Sequence, residues 1–438
     1  MELAQFAQIV LDDFVLYIIV FIAFFLLYRF FFLKNTFVNI IDSFLIEAIT
    51  SAGSATTIFV MWYNNSIQNK FLFSFITTEL AIFLGINFFF IFKKKTTTKT
   101  QSLFFNDFQK KYFYFFFYVT SVFFVLVQLI IFKTIGVTLL STEEGINHVN
   151  AFDGLGVFFD VSLVIKPIFA TVLFMKRKIF NRFTTIDYFL IFFLILSSIA
   201  SGSKSSFMVL FTCYAFVEYK FATLENKEVK KIPKKYLIIF FSSILFIITI
   251  GSFGGGDISA VTKLFERVLF SGDIFLLGYN DEAIRYVTMD NKNAFSFIFY
   301  PFYGKFLKLI GIDLTPTNIG VGLYDFTYGI TSSGSTPRHN YLSLLFFGEK
   351  FGWILSLLIG LFIGFIRFVI YEFKSVKSVT FNIFIILVAS ITPFCITDIY
   401  LFNMMLFMII ILFLLIVIIS FLLMIFFSFT DLIETNNG

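Results

Sequence analysis

Apolar residues in this chain fall in blocks of about twenty, the length a helix needs to cross ~30 Å of hydrocarbon. The blocks predict about eleven (10–12) membrane spans, at roughly 14–33, 38–62, 71–92, 113–133, 155–175, 187–201, 204–219, 236–254, 352–372, 379–401 and 403–427. The runs are continuous rather than alternating, which excludes the strands of a closed β-barrel. The expectation is an all-α polytopic integral membrane protein. Its spans divide into a bundle over 1–254 (spans one to eight), a large structured external loop over 255–338 and a C-terminal group over 339–438 (spans nine to eleven).

The polar stretches between the blocks assign sides. The segments "KKKTTTKTQSLFFNDFQKK" (93–111), "KRKIFNR" (176–182) and "KEVKKIPKK" (227–235) are basic, and Lys and Arg are retained in the cytoplasm. The segment "LLSTEEGINHVNAFDG" (139–154) has neither and is expected outside. Counting spans then places the N-terminus and the long 255–338 segment outside and the C-terminus inside. That long segment is too rich in aromatics for disorder. Within it, "ISAVTKLFERVLF" (258–270) has helical periodicity, with Val261, Leu264, Phe265, Val268 and Leu269 on one face. "FSFIFYPFYGKFLKLIGI" (295–312) resembles a span, but Pro301, Gly304, Lys305 and Lys308 argue for an amphipathic segment lying on the outer interface. A crossing there would invert the side of everything after it.

Composition strengthens the membrane reading. The chain is 58% hydrophobic and only 14% charged, where a soluble domain carries roughly a quarter charged residues. The many phenylalanines suit lipid-facing positions, where any large apolar side chain serves. The net charge of +5 comes from basic residues beside spans, so nucleic acid is not an expected partner. Cys213 and Cys395 both lie within apolar runs, which argues against a disulfide or a metal site. No cleavable signal peptide is expected, because the first apolar run follows an acidic leader and continues too long.

Candidate chemistry clusters at a few points. Arg338, His339 and Asn340 immediately precede the ninth apolar block. A histidine exchanges protons near neutrality, and an arginine presents a planar cationic fork suited to phosphate. Against this stands a bland reading, in which Arg338 reaches headgroups and His339 satisfies a backbone carbonyl. In "SSIASGSKSSF" (197–207), Lys204 is a cation on the side where positive charge is unexpected, next to Gly202, where the backbone can approach an anion closely. Arg267, ten residues of spacing and Gly278 form a weaker pattern, and Arg285 in "DEAIRYV" is a second external cation. Asp42 and Glu47 in the second span, and Asp160 and Lys166 in the fifth, must face the interior or pair, because a charge at mid-bilayer costs roughly 2.5–3.5 kcal/mol. Asp42 is close enough to the boundary to be merely interfacial. Glu47, Asp160 and Lys166 also fit a proton-coupled transporter. Walker-type nucleotide motifs, the GxSxG nucleophile motif, HExxH and Asp-rich metal signatures do not occur, so no cofactor and no metal are expected.

Taken together, the spans, the late loop, the "SGSK" turn and "STPRHNYLSLLFFGEKFGWILSLLIGLFIG" resemble bacterial O-antigen polymerases, the Wzy-type oligosaccharide repeat-unit polymerases, which are related to O-antigen ligases. Gly348 and Gly352 stand where these families step into a long span. His339-Asn340 is the more ligase-like feature. Lys204 stands where the families usually carry arginine, keeping the charge but losing the bidentate fork. The resemblance implies inverting, metal-independent glycosyl transfer at the external face of the bacterial cytoplasmic membrane. A growing glycan on undecaprenyl pyrophosphate would pass to a fresh lipid-linked repeat unit during O-antigen, capsule or exopolysaccharide synthesis. His339 and Arg338 are then the expected catalytic residues, with Asp257 and Asp273 as rival bases. Lys204, Arg267, Arg285 and Asn340 are the expected pyrophosphate- or glycan-binding residues. The implied partners are lipid-linked glycans, the bilayer, a chain-length regulator and a flippase. A ligase using another acceptor and a flippase or secondary transporter remain the alternatives. Transporters tend to show internal repeats, and none is evident here.

Overall fold

Away from water, a backbone can satisfy its N–H and C=O groups within one segment only as a helix. The computed structural model, which describes residues 3–35, 42–91, 105–136, 157–200, 204–224, 270–290, 294–312, 315–331, 334–372 and 378–436, is helical, with no strand among those residues. The first helices are α1 (Leu3–Asp12), α2 (Phe14–Asn35), α3 (Ser43–Tyr63) and α4 (Asn69–Ile91), followed by α5 (Asp107–Thr134), α6 (Val157–Phe180), α7 (Thr185–Ala200) and α8 (Lys204–Leu224). Next come the short helices α9 (Asp273–Gly278), α10 (Asp281–Asp290), α11 (Ala294–Leu309) and α12 (Ile319–Tyr328). The chain ends with α13 (His339–Glu372), α14 (Val379–Ile391), α15 (Phe394–Thr397) and α16 (Ile399–Asn436).

Among the described residues, seven stretches are long and apolar enough to cross a membrane: Phe14–Phe31, Asn69–Ile91, Asp107–Thr134, Phe158–Phe180, His339–Ile370, Val379–Thr397 and Ile399–Ser428. Large apolar side chains such as Leu84, Phe189, Phe192, Leu422 and Phe426 point outward from their helices, as a lipid-embedded surface requires. The protein is a polytopic helical membrane protein. Helices α3, α7 and α8 coincide with three further predicted spans, but α7 has only 16 residues and none of the three meets the same criterion of length and hydropathy. Helix α11, also 16 residues, carries Pro301 in its interior and is likewise outside that set. The predicted span at 236–254, the helix at 258–269 and Arg267 lie outside the described residues.

The chain folds into two compact units, one formed by 1–95, 258–368 and 391–404, the other by 96–257, 369–390 and 405–438. In the first unit, α4 and α13 meet backbone to backbone. A Cβ on Gly85 would lie 2.6 Å from the Leu357 carbonyl oxygen, and one on Gly364 would lie 2.6 Å from that of Ile86. Gly360 fits against Ile82 in the same way. Small residues four apart permit this approach where lipid provides no hydrophobic drive. Aromatic packing of Tyr28 and Phe31 on Phe83 adds α2 to the group.

Helix α13 is a hairpin. Gly348 has φ +70° and ψ 179°, an essentially glycine-only conformation that costs other residues roughly 1–3 kcal/mol. On either side of it the arms run antiparallel: Ser343 and His339 both contact Ser356 at 2.9 Å. Seventeen residues along one straight helix would separate His339 from Ser356 by about 25 Å. A Cβ on Gly352 would come 3.0 Å from the Ser343 carbonyl oxygen, so the glycine lets the arms close. The hairpin brings the start of its first arm deep into the unit.

In the second unit, α5 and α6 stack Phe124 on Phe169 with ring centres 4.4 Å apart. Lys176 of α6 reaches Asp187 of α7 at 2.6 Å, both buried, and lies 4.0 Å from the centre of the Phe117 ring. Lys166 donates to the Ser197 carbonyl near the end of α7 at 3.0 Å.

Candidate functional site

Helix α3 carries a polar stripe through an otherwise apolar sequence. Glu47, Ser51, Ser54 and Thr57 recur at three- and four-residue spacing and so share one face. Each meets a residue of the 255–338 segment. The Arg338 guanidinium donates to Ser51 Oγ at 2.6 Å and stands 3.8 Å from Glu47 Oε2. Ser54 Oγ donates to the Ser271 carbonyl at 2.8 Å. Gly272 packs so closely on Thr57 that a Cβ would lie 2.6 Å from its hydroxyl oxygen. Helix α9 is thereby seated along α3 next to Arg338, and Gly278 at its other end lies against the Tyr341 ring of the hairpin.

Helix α4 supplies the other wall. Asn340 Nδ2 donates to Thr78 Oγ1 and Glu79 Oε1, both at 3.0 Å. His339 Nε2 faces Glu79 Oε1 at 3.6 Å, while its Nδ1 contacts Ser356 Oγ at 2.9 Å. Arg338 and His339 are 2% and 1% exposed, so neither reaches outward to headgroups. The bland reading, in which Arg338 reaches headgroups, does not hold: the hairpin carries it inward to α3. Asp42 is likewise enclosed by the protein. It caps α3 by accepting from the Phe44 N–H and is fully buried against Arg367.

Asp273, at the start of α9, is half-buried. Its Oδ1 accepts from the Ile274 N–H at 2.7 Å and its Oδ2 from the Tyr324 hydroxyl at 3.4 Å. Burial pushes its carboxyl up to about 7, against the pull of these two donors and of the Arg338 charge. Several polar atoms of this unit are left open: Arg338 Nε, His339 Nε2, Asn340 Oδ1, Tyr341 Oη, Tyr279 Oη and Ser335 Oγ are buried without a hydrogen-bond partner among the described residues. Buried polar groups are normally satisfied, so this concentration marks a site built for something more than its own side chains. The set can neutralise an anion at Arg338 and exchange a proton at Asp273.

The expected residues are distributed unevenly. Arg338, His339 and Asn340 come together in the first unit. Arg285 is exposed on α10, where its charge acts on Asp281 beside the Asp281–Lys70 ion pair. Lys204 opens α8 in the second unit, and Arg267 is outside the described residues. Among the described residues, no group of three or more His, Cys, Asp or Glu side chains converges to hold a metal ion. Glu79, Ser51, Ser54 and Ser356 were not singled out by the sequence reasoning. The signal for Glu79 was present, since a lone carboxylate in "ITTEL" invites the same argument as Glu47. No family model, curated protein or solved structure matches this chain.

Proposed function

We propose that the chain is a membrane glycosyltransferase that polymerises undecaprenyl-pyrophosphate-linked repeat units, acting at the external face of the bacterial cytoplasmic membrane. The observation that carries this reading is Arg338: a buried cation with an open donor, gathered with a half-buried carboxylate inside a polytopic membrane protein. A lipid pyrophosphate is the anion such a frame would meet. In the reaction an acceptor sugar hydroxyl attacks the anomeric carbon of the donor glycan. The anomeric carbon–oxygen bond to phosphate breaks with inversion, and pyrophosphate leaves as an anion. Arg338 stabilises the charge that develops on it, an effect worth roughly 10²–10³ in rate for a single well-placed donor. Arg267 and Arg285, in the same 255–338 segment as Arg338, provide further cations for the diphosphate and its glycan. A chain-length regulator and a flippase are the partners this role calls for.

The deciding experiment is deletion of the gene, followed by gel analysis of lipid-linked and surface glycans. The proposal expects single repeat units to accumulate on the lipid and long chains to vanish, with both reversed by complementation. Unchanged long chains would reject it. Loss of surface glycan with full-length polymer retained on the lipid would identify a ligase instead. A second reading, a proton-coupled transporter, draws on Glu47 and Glu79, two carboxylates buried in helices α3 and α4. It expects no lipid-linked product of any new length.

A further inference from the structure

We infer that Asp273, rather than His339, is the catalytic base that takes the proton from the acceptor hydroxyl, a conclusion that rests on the glycosyl-transfer reading. The two candidates differ in access. His339 is enclosed on both sides of its ring, with Ser356 at Nδ1 and Glu79 opposite Nε2, and almost none of its surface is open. An acceptor sugar could approach either nitrogen only by displacing α4 or the second arm of the hairpin. Asp273 is half-buried, where His339 is enclosed. Its seat is fixed by the two residues before it: Ser271 is bonded to Ser54 and Gly272 packs on Thr57. Ser51, which holds Arg338, lies one helical turn from Ser54 along the α3 stripe, about 5 Å away. The Arg338 guanidinium is close enough for its charge to act on the Asp273 carboxylate, and in the inferred assignment the carboxylate takes the attacking oxygen and the guanidinium the leaving phosphate.

The remaining contacts suit the same task. Tyr324 holds Asp273 Oδ2 only at 3.4 Å, a long bond that an incoming hydroxyl can replace. A base works best when its proton affinity is near the operating pH, and burial places Asp273 there. The step balances. As the glycosidic bond forms and the phosphate bond breaks, the hydroxyl proton moves to the Asp273 carboxylate and the bonding electrons leave with pyrophosphate. Asp273 then returns the proton to water. His339 becomes a positioning residue that, with Glu79, Asn340 and Ser356, holds the first arm of the hairpin and so Arg338.

The test uses the full-length protein in liposomes, with lipid-linked repeat units extracted from the deletion strain as the probe. Polymerised product and thermal midpoint are measured for wild type, Asp273→Asn, Asp273→Glu and His339→Gln. Asp273→Asn is expected to lower the rate by about 10²–10⁴-fold without lowering the thermal midpoint, because it removes a carboxylate that burial disfavours. Asp273→Glu should keep a measurable fraction of activity. His339→Gln should lower the midpoint and, per folded molecule, lose less than tenfold in rate. The inference is overturned if folded Asp273→Asn keeps more than a tenth of wild-type activity. It is equally overturned if that variant fails to fold, which would make Asp273 structural. A wild-type protein inactive on these units would sink the polymerase reading itself, a result distinct from either.

Discussion

Two buried arginines flank the hairpin of α13, and they are held in opposite ways. Arg367, in the second arm, meets Asp42 through two bonds of 2.6 and 2.9 Å, with the Phe44 ring 4.1 Å from its guanidinium carbon. Both partners are fully enclosed. Arg338, ahead of the first arm, has a single short bond to a neutral serine and a carboxylate 3.8 Å off. The first pairs charge with charge, since a bidentate fork matches a carboxylate. The second rests its short bond on a neutral hydroxyl. Burying a charge is costly unless it is paired, so a cation kept in the second state retains capacity for an anion from outside the chain. The Lys176–Asp187 pair of the second unit, at 2.6 Å with the Thr184 N–H also on Asp187, belongs with Arg367.

The largest expected effect separates the two directly. Arg338→Ala should abolish long-chain product, by roughly 10²–10³ in rate, while protein in the membrane stays near wild-type amount. Arg338→Lys should recover little, because an ammonium cannot replace the fork. Wild-type chain lengths in Arg338→Ala would end the comparison, since Arg338 would then be no more functional than Arg367.

Arg367→Ala should act on stability instead. Removing one partner leaves Asp42 buried and uncompensated, a loss of about 3–5 kcal/mol, read as a fall in membrane accumulation or thermal midpoint. The sharper version is the double variant Arg367→Met with Asp42→Leu. Replacing a buried pair by apolar groups of similar size is often neutral or stabilising, so the double variant should restore both accumulation and polymer length. If it accumulates normally but makes no polymer, Arg367 also serves the reaction and the contrast is drawn in the wrong place.

Much of the architecture was legible because lipid imposes a simple rule. Unbroken apolar blocks near 14–33, 71–92 and 113–133 leave no alternative to a helix, and helices stand there. The reversal at Gly348 was legible only as a step: Gly348 and Gly352 marked the entry to a span beginning near 352, but only pairing of Ser343 and His339 with Ser356 reveals two antiparallel arms. The site followed the same division. Arg338, His339 and Asn340 could be chosen by type, being polar residues beside a span. Their partners could not, because which face of α3 and α4 turns toward them depends on packing such as Gly85 against Gly360 and Leu357. Asp42 misled for a related reason: distance along the sequence from a boundary says little about burial once Arg367 approaches from another helix.

The smallest expected effect tests the hairpin that both arginines share. Gly348→Ala places a side chain at φ +70° and ψ 179°, which costs roughly 1–3 kcal/mol. Nothing lies within 4 Å of the added Cβ, so the cost is conformational and local to the reversal. Arg367 is anchored by its own bidentate pair well down the second arm, whereas Arg338 depends on the first arm being folded back onto Ser356. Gly348→Ala should therefore shorten the polymer severalfold while membrane accumulation falls only slightly. Asp42→Asn in the same background should add its own loss of stability with no further change in chain length. Equal losses of polymer from Gly348→Ala and from Asp42→Asn alone would show that the hairpin transmits strain to both ends, and that the open and closed arginines are one mechanical element.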